Sequence, residues 1–154
     1  MTEPNRIAKL FEDLYGGSPW IDVTILPTLQ SLTANQAAER LYENWNTIWE
    51  ITNHMISWRE NVLLRVQGKV ITTPSNNYIV PITDTSPEAW QNTITKLEQS
   101  QQNWIAFLKK FNVADFEKTY PGNGMSYYEH IQGILQHDAY HLGQIVIMAK
   151  RVMA

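Results

Sequence analysis

The chain has no cysteine among its 154 residues. Disulfide bonds, thiolate metal sites and a cysteine nucleophile are therefore excluded, and any bound metal must be held by nitrogen or oxygen ligands. The absence of cysteine also fits a reducing compartment, and we predict a cytoplasmic protein.

Long apolar runs are absent as well. No stretch approaches the roughly 20 residues that a membrane-spanning helix requires, and the first residues lack the basic-then-apolar order of a signal peptide. We therefore expect a soluble protein with no membrane partner.

Basic charge is in slight deficit. Lysine and arginine total 12 against 15 aspartate and glutamate, for a formal net charge of -3, and the basic residues are scattered along the chain. Nucleic-acid binding requires clustered basic residues that contact phosphates, so we predict no nucleic-acid partner. Aromatic residues are numerous instead, with six tryptophans and seven tyrosines. Most of them should pack in the core, and the surplus would suit a homodimer.

Four long segments have helical periodicity, and no regular series of strands interrupts them. This pattern predicts an all-α fold, a four-helix bundle that forms a single domain over residues 1–154. The first helix is predicted to begin near Pro4 and to end at Gly16 and Gly17. Residues 20–32 would continue as a helix that Pro27 bends.

Capping signals place the other three main helices. Asn46 is the predicted N-cap of the second, which ends at Gly68. Residues 85–88 and 126–129 each have the spacing of a capping box, so they are predicted to begin the third and fourth main helices. The last of these would extend to about Met153.

The connection between the second and third main helices, residues 69–85, is long. A loop of roughly 17 residues can return the chain to the end of the bundle from which it came, so we predict that these two helices run parallel, in an up-down-down-up order. The connection would cover one end of the bundle. Its short β-prone runs, residues 70–72 and 78–80, would allow a small hairpin lid.

His137 and His141 lie four residues apart in the last predicted helix, one turn from each other on the same face. The rotation of about 100° per residue places them in one stripe with Ile134 and Ile145, facing the bundle interior. Buried imidazoles need partners, because an unpaired buried polar group costs about 1–3 kcal/mol. A metal ion is one such partner, and hydrogen bonds from core tyrosine or aspartate side chains are the alternative.

His54 makes the metal interpretation stronger, because it lies in the middle of the second main helix on its inward face. Three converging imidazoles would leave an open coordination position for water or substrate, as in catalytic zinc sites. His130 is two turns from His137, about 10 Å along the axis, so it is not predicted to be a ligand. The predicted metal ligands are therefore His54, His137 and His141.

Three further side chains are candidates for supporting this site. Trp58, one turn after His54, would form a pocket wall or pack in the core. Asp138 could accept the second ring N–H of a ligating histidine, although its rotation away from the stripe fits better a contact with a neighbouring helix or a solvated acid. Gln144 lies within the histidine stripe and is the better candidate for a polar contact in the pocket.

His54 followed by Trp58, and then the run His137-Asp-Ala-Tyr-His141-Leu-Gly-Gln-Ile145, resembles the DinB/YfiT family of metal-binding four-helix bundles. The resemblance covers nearly the whole chain. It implies a divalent ion, zinc or nickel, bound by His54, His137 and His141 at one end of the bundle. Similar proteins include transferases that attach low-molecular-weight thiols such as bacillithiol or mycothiol to electrophiles, and a thiol-dependent maleylpyruvate isomerase.

Together with the three histidines, this resemblance implies a metal-dependent transferase that adds a low-molecular-weight thiol to an electrophilic small molecule. The ion would lower the pKa of the bound thiol, or of a bound water. No protein carboxylate stands out as a general base, which suits thiol transfer better than hydrolysis. The alternatives are a metal-dependent hydrolase, a non-catalytic metal-binding or stress-response module, and a plain helical bundle that acts through a dimer face.

Overall fold

The computed structural model describes residues 1–154, and it is helical with no strands. The all-α prediction is confirmed. A 3₁₀ helix, Val113–Glu117, and an isolated bridge between Thr119 and Ser126 precede the last helix. None of the helices combines the length and the apolar character needed to span a lipid bilayer. The six α-helices are α1 Glu3–Gly16, α2 Ile25–Gln30, α3 Ala34–Ala38, α4 Ile48–Arg65, α5 Pro87–Lys110 and α6 Tyr127–Val152.

Side-chain caps mark where α4, α5 and α6 begin. Thr47, and not the predicted Asn46, is the N-cap of α4: its hydroxyl accepts from the backbone N–H of Glu50, whose carboxylate accepts from the N–H of Thr47. The same reciprocal pair forms at Ser126 before α6, as predicted. The capping box predicted at residues 85–88 is wrong. The cap of α5 is Ser86, which accepts from the N–H of Ala89, and alanine has no side-chain acceptor for the reciprocal bond.

The helix predicted over residues 20–32 is wrong in its extent. The structure has the short helix α2 instead, with Pro27 in its first turn, where a missing N–H costs no hydrogen bond. Ile25 and Leu29 are fully buried and anchor this helix on the core, whereas Trp20 is 99% exposed. The apolar positions therefore decide which part of the segment becomes helical.

The helix α4 lies in contact with both α5 and α6, and α1 packs against α5. Trp49 of α4 donates its ring N–H to the Thr93 hydroxyl of α5 at 2.8 Å. Phe11 of α1 stacks on Trp104 of α5, with ring centroids 5.1 Å apart. These contacts join the four long helices in the order α1, α5, α4 and α6.

A polar layer separates two apolar clusters in the core. Met55, Leu97 and Leu142 belong to one cluster, and residues one or two turns away along the same helices belong to the other. Between them, Arg59 donates its Nε–H to Asp138 at 2.8 Å and an Nη2–H to Gln101 at 2.8 Å. Arg59 and Asp138 are 1% and 0% exposed, so this ion pair joins α4, α5 and α6 inside the protein.

The Asp138→Asn substitution is expected to destabilise the protein strongly, because it leaves the buried Arg59 guanidinium without a counter-charge. The free energy of unfolding should fall by about 3–5 kcal/mol. Urea unfolding in the presence of a chelator, followed by circular dichroism, measures it without any contribution from bound metal.

Glu12→Gln provides the control, since it removes an exposed ion pair in which the Lys109 nitrogen lies 3.7 Å from the carboxylate. The control should unfold like the wild type. Equal unfolding curves for Asp138→Asn and Glu12→Gln would contradict the role given to the buried pair.

Candidate metal centre

Three imidazole rings meet between α4 and α6. Nε2 of His137 lies 3.0 Å from Nε2 of His54 and 3.1 Å from Nε2 of His141. One ligand atom from each of the three rings lies within 4.8 Å of the others. The structure thus brings together the three side chains that were predicted to be metal ligands, although 83 residues separate His54 from His137.

The outer nitrogens of two rings are held by hydrogen bonds. His54 Nδ1 donates to the carbonyl oxygen of Asn77 at 2.6 Å, and His141 Nδ1 donates to the side-chain oxygen of Gln144 at 2.7 Å. A carbonyl oxygen can only accept, so the proton of each neutral ring lies on Nδ1 and the lone pair lies on Nε2. Both lone pairs are therefore directed towards the centre of the cluster.

This arrangement fits a cation. The Nε2 atoms of His54 and His141 both present lone pairs, so only His137 can carry a proton on Nε2. That proton can be donated to His54 or to His141, but not to both at once, and the other contact then brings two lone pairs together. The Nδ1 of His137 is buried and has no hydrogen-bond partner in the chain. Three neutral imidazole nitrogens are a donor set that zinc, nickel, copper or iron accepts, so the residues present suit a divalent metal ion.

Burial favours the neutral form of two of these rings, His141 and His54. It lowers the pKa of His141 from 6.5 to about 4, against the opposing effect of the hydrogen bond to Gln144. Burial also lowers the pKa of His54, and the neighbouring His137 adds to this effect. Metal ligation requires unprotonated imidazole, so both rings are in the required form at neutral pH.

The histidines line a cavity of about 770 Å³. The apolar side chains around it include Ile51 and Met148. The crossover connection, residues 66–86 between α4 and α5, contributes Asn77 and Ile79. The cavity is large enough for a small molecule and its wall is mostly apolar, as is usual for ligand sites.

Of the three supporting residues predicted from the sequence, Trp58 and Gln144 line the cavity and Asp138 does not. Trp58 forms part of the cavity wall, with its ring centroid 6.3 Å from that of His137. Gln144 also lines the cavity and holds His141. Asp138 does not line it. The carboxylate is fully buried against Arg59, so the solvated-acid alternative is wrong, and its Oδ1 lies 4.0 Å from His137 Nδ1, beyond hydrogen-bond distance.

The crossover connection reaches the site in a way that the sequence did not predict. The hairpin lid is wrong, because residues 70–72 and 78–80 form no strands. Instead, Asn77 and Tyr78 both adopt left-handed backbone conformations, with φ of 54° and 60°. Asn77 accepts from His54 through its carbonyl and from the Trp58 ring N–H through its side chain, and Tyr78 packs edge-on against Trp58. Asparagine tolerates this conformation well, so the Asn76–Asn77 pair is the sequence feature that could have predicted a left-handed turn here.

His130 lies apart from the three histidines. It is buried in the first turn of α6, where its Nδ1 donates to the carbonyl of Ser126 at 2.9 Å. The ring lines the far part of the same cavity and packs edge-on against Tyr120. This position agrees with its exclusion from the predicted ligand set.

Comparison with known proteins identifies the family. A family model described as the DinB superfamily matches residues 24–145, which is well over half of the chain. The protein therefore belongs to the DinB superfamily, and the predicted resemblance is confirmed. No curated protein and no solved structure matches the chain.

The pKa of His141 can be tested in metal-free protein. Long-range ¹H–¹⁵N NMR is expected to show a neutral Nδ1–H tautomer that titrates near pH 4, because burial disfavours the charged ring. The folded protein then binds this proton more weakly than the unfolded chain, so stability should decline as the pH falls from 6.5 towards about 4. In urea-unfolded protein the same ring should titrate near its ordinary value. A folded-state midpoint near 6.5 would contradict the structure.

Proposed function

We propose that this protein is a metal-dependent transferase that joins a low-molecular-weight thiol to an electrophilic small molecule. The observation that carries the proposal is the convergence of three imidazole Nε2 atoms in the wall of a largely apolar cavity. In this proposal His54, His137 and His141 hold a divalent ion, zinc or nickel. The small-molecule substrate occupies the cavity beside it.

The proposal includes the arrangement of the helices. We infer a single domain whose main helices α1, α4, α5 and α6 run up-down-down-up. Contacts between α4 and α5 support the parallel pair, because Trp49 meets Thr93 while Arg59, further along α4, meets Gln101, further along α5. Residues 66–86 then connect the end of α4 to the start of a parallel helix. In doing so they pass over the histidines and supply Asn77.

The chain's own residues prepare the ligands. The Asn77 carbonyl and the Gln144 side chain fix the rings of His54 and His141 with their Nε2 lone pairs inward. Trp58 and Ile51 provide apolar surface in the cavity wall beside the cluster. A divalent ion held there supplies Lewis acidity, which lowers the pKa of a thiol and makes the nucleophilic thiolate available near neutral pH.

The absence of a suitable carboxylate supports thiol transfer over hydrolysis. Glu129 is the one carboxylate that lines the cavity, and it is exposed and accepts hydrogen bonds from Ser126. Asp138 forms a buried salt bridge with Arg59 and does not line the cavity. Hydrolysis benefits from a protein base that takes the proton of the attacking water. A thiol is far more acidic than water, and beside a divalent ion it would release its proton to solvent without such a base.

Metal-loaded protein is expected to consume a low-molecular-weight thiol in the presence of electrophiles, and His137→Ala should abolish this reaction because it removes the central ligand. The measurement is thiol loss against a panel of electrophiles, together with the metal content of protein purified without an affinity tag. About one metal ion per chain is expected in the wild type, since the three rings form one cluster.

His130→Gln is the matched control, because it changes a buried histidine of the same helix outside the cluster and should retain the metal. Equal thiol consumption by His137→Ala and the wild type would end the catalytic proposal. Metal retention without any thiol consumption would favour the non-catalytic module, and metal-dependent ester or amide cleavage would favour the hydrolase.

Gln144→Leu is expected to weaken metal binding by about 10–100-fold, because His141 loses the acceptor that orients its ring. Competition with a chromophoric chelator measures the affinity. Gln136→Leu serves as the control, since Gln136 is exposed on the same helix and does not line the cavity. An affinity unchanged in Gln144→Leu would show that this hydrogen bond does not prepare the ligand.

A further inference from the structure

The cavity that contains the histidines has one cationic side chain in its wall. Arg65, at the C-terminal end of α4, is the only lysine or arginine among the residues that line it. The salt bridges of the structure do not include Arg65. No carboxylate of the protein therefore lies within salt-bridge distance of its guanidinium.

Aromatic rings and one hydroxyl hold this guanidinium in place. Its Cζ lies 5.4 Å from the ring centroid of Trp58 and 4.8 Å from that of Tyr120. Nη2 donates to the Thr73 hydroxyl at 3.1 Å. Tyr120 is itself fixed, because its hydroxyl bonds with both the N–H and the carbonyl of Ile71. The aromatic faces attract the cation without neutralising it, so the side chain is immobilised and still charged.

Most of the hydrogen-bonding capacity of Arg65 is unused. A guanidinium has five N–H donors, and only Nη2 has an acceptor within the chain. The Nε is buried without any partner. Unmet donors on a partly buried cation are unfavourable. An anionic ligand in the cavity would satisfy the free Nη donors, which unlike Nε are not enclosed by the protein.

We propose that Arg65 binds a carboxylate of the small molecule that occupies this cavity. The role of that molecule as a reactant rests on the proposed function, whereas its binding to Arg65 does not. One planar cation matches one carboxylate in charge and shape. The exposed carboxylate of Glu129 in the same cavity wall disfavours a more highly charged anion such as a phosphate.

The position of Arg65 defines the length of the ligand. Arg65 follows His54 by eleven residues on one helix, about 16 Å along its axis, and its side chain leans back towards the helix N-terminus. Trp58 lies between them, with its ring 5.4 Å from the guanidinium and 6.3 Å from the His137 ring. An extended molecule lying along Trp58 would place its carboxylate at Arg65 and its other end at the histidines.

Calorimetry on metal-free protein tests the carboxylate site alone, with octanoate and octanamide as probes. Octanoate should bind the wild type about tenfold more tightly, as expected for a charge-assisted hydrogen bond. Arg65→Met should abolish the preference, Arg65→Lys should retain part of it, and Arg6→Met, at an exposed position of α1, should retain all of it.

Equal binding of octanoate and octanamide to the wild type would overturn the proposal, and so would a preference that survives in Arg65→Met. The wild-type comparison decides even if Arg65→Met does not fold, which its circular dichroism would reveal. Tighter Arg65-dependent binding of octyl phosphate than of octanoate would overturn the assignment to a carboxylate.

A second arm connects this site to the histidines. Cobalt-loaded protein is titrated with 8-mercaptooctanoate and 8-mercaptooctanol, and the thiolate-to-cobalt absorption band reports binding at the ion. The acid is expected to bind about tenfold more tightly than the alcohol, and only when Arg65 is present. A calorimetric preference for octanoate without any band would reject the thiol function and support the Arg65 site. A band with equal affinity for both thiols would overturn the Arg65 site and leave the thiol function standing.

Discussion

The buried ion pair between Arg59 and Asp138 sets the position of α4 relative to α6, and the candidate site depends on that position. Asp138 directly follows His137, and Arg59 follows His54 by little more than one turn. The alignment that pairs the two charges therefore also brings His54 to His137 and His141. A shift of α4 along α6 would separate the two charges and leave each buried without its partner. Such a shift is therefore strongly disfavoured.

The crossover connection completes the site with backbone and side-chain atoms. Its residue Asn77 contacts both His54 and Trp58, and Tyr78 packs against Trp58 and accepts from the amide of Asn61. Two successive non-glycine residues with positive φ are locally unfavourable, so the contacts of Asn77 and Tyr78 must stabilise this backbone conformation. A segment without strands or helix is in this way held in one place over the histidines.

The cavity has two chemically different ends. Neutral imidazole nitrogens lie at one end, suited to a soft or borderline cation, and the unpaired guanidinium of Arg65 lies at the other, suited to an anion. Trp58 forms the wall between them. A ligand that uses both ends must be extended, with a metal-binding group at one end and an anionic group at the other, which restricts the molecules that the site would accept.

Local sequence patterns were sufficient for the helical class, for the N-cap of α4 to within one residue, for the capping box of α6, and for the three histidines. Each depends on spacing within one helix: the step of four between His137 and His141, and the inward position of His54 among apolar residues. The family resemblance depends on the same residues, and the match over residues 24–145 agrees with it. The extent of α2 was not predictable, because tertiary burial of Ile25 and Leu29 decided it.

The amino-acid sequence by itself determined which residues could act as ligands, since helical periodicity and the absence of cysteine leave few choices. Only the tertiary structure decided which partners each side chain has. Asp138 pairs with Arg59 on another helix, His54 donates to a loop carbonyl 23 residues away, and Arg65 lies between aromatic rings without a salt bridge. Such contacts join residues distant in the chain, and their energies depend on burial and packing that no local pattern encodes.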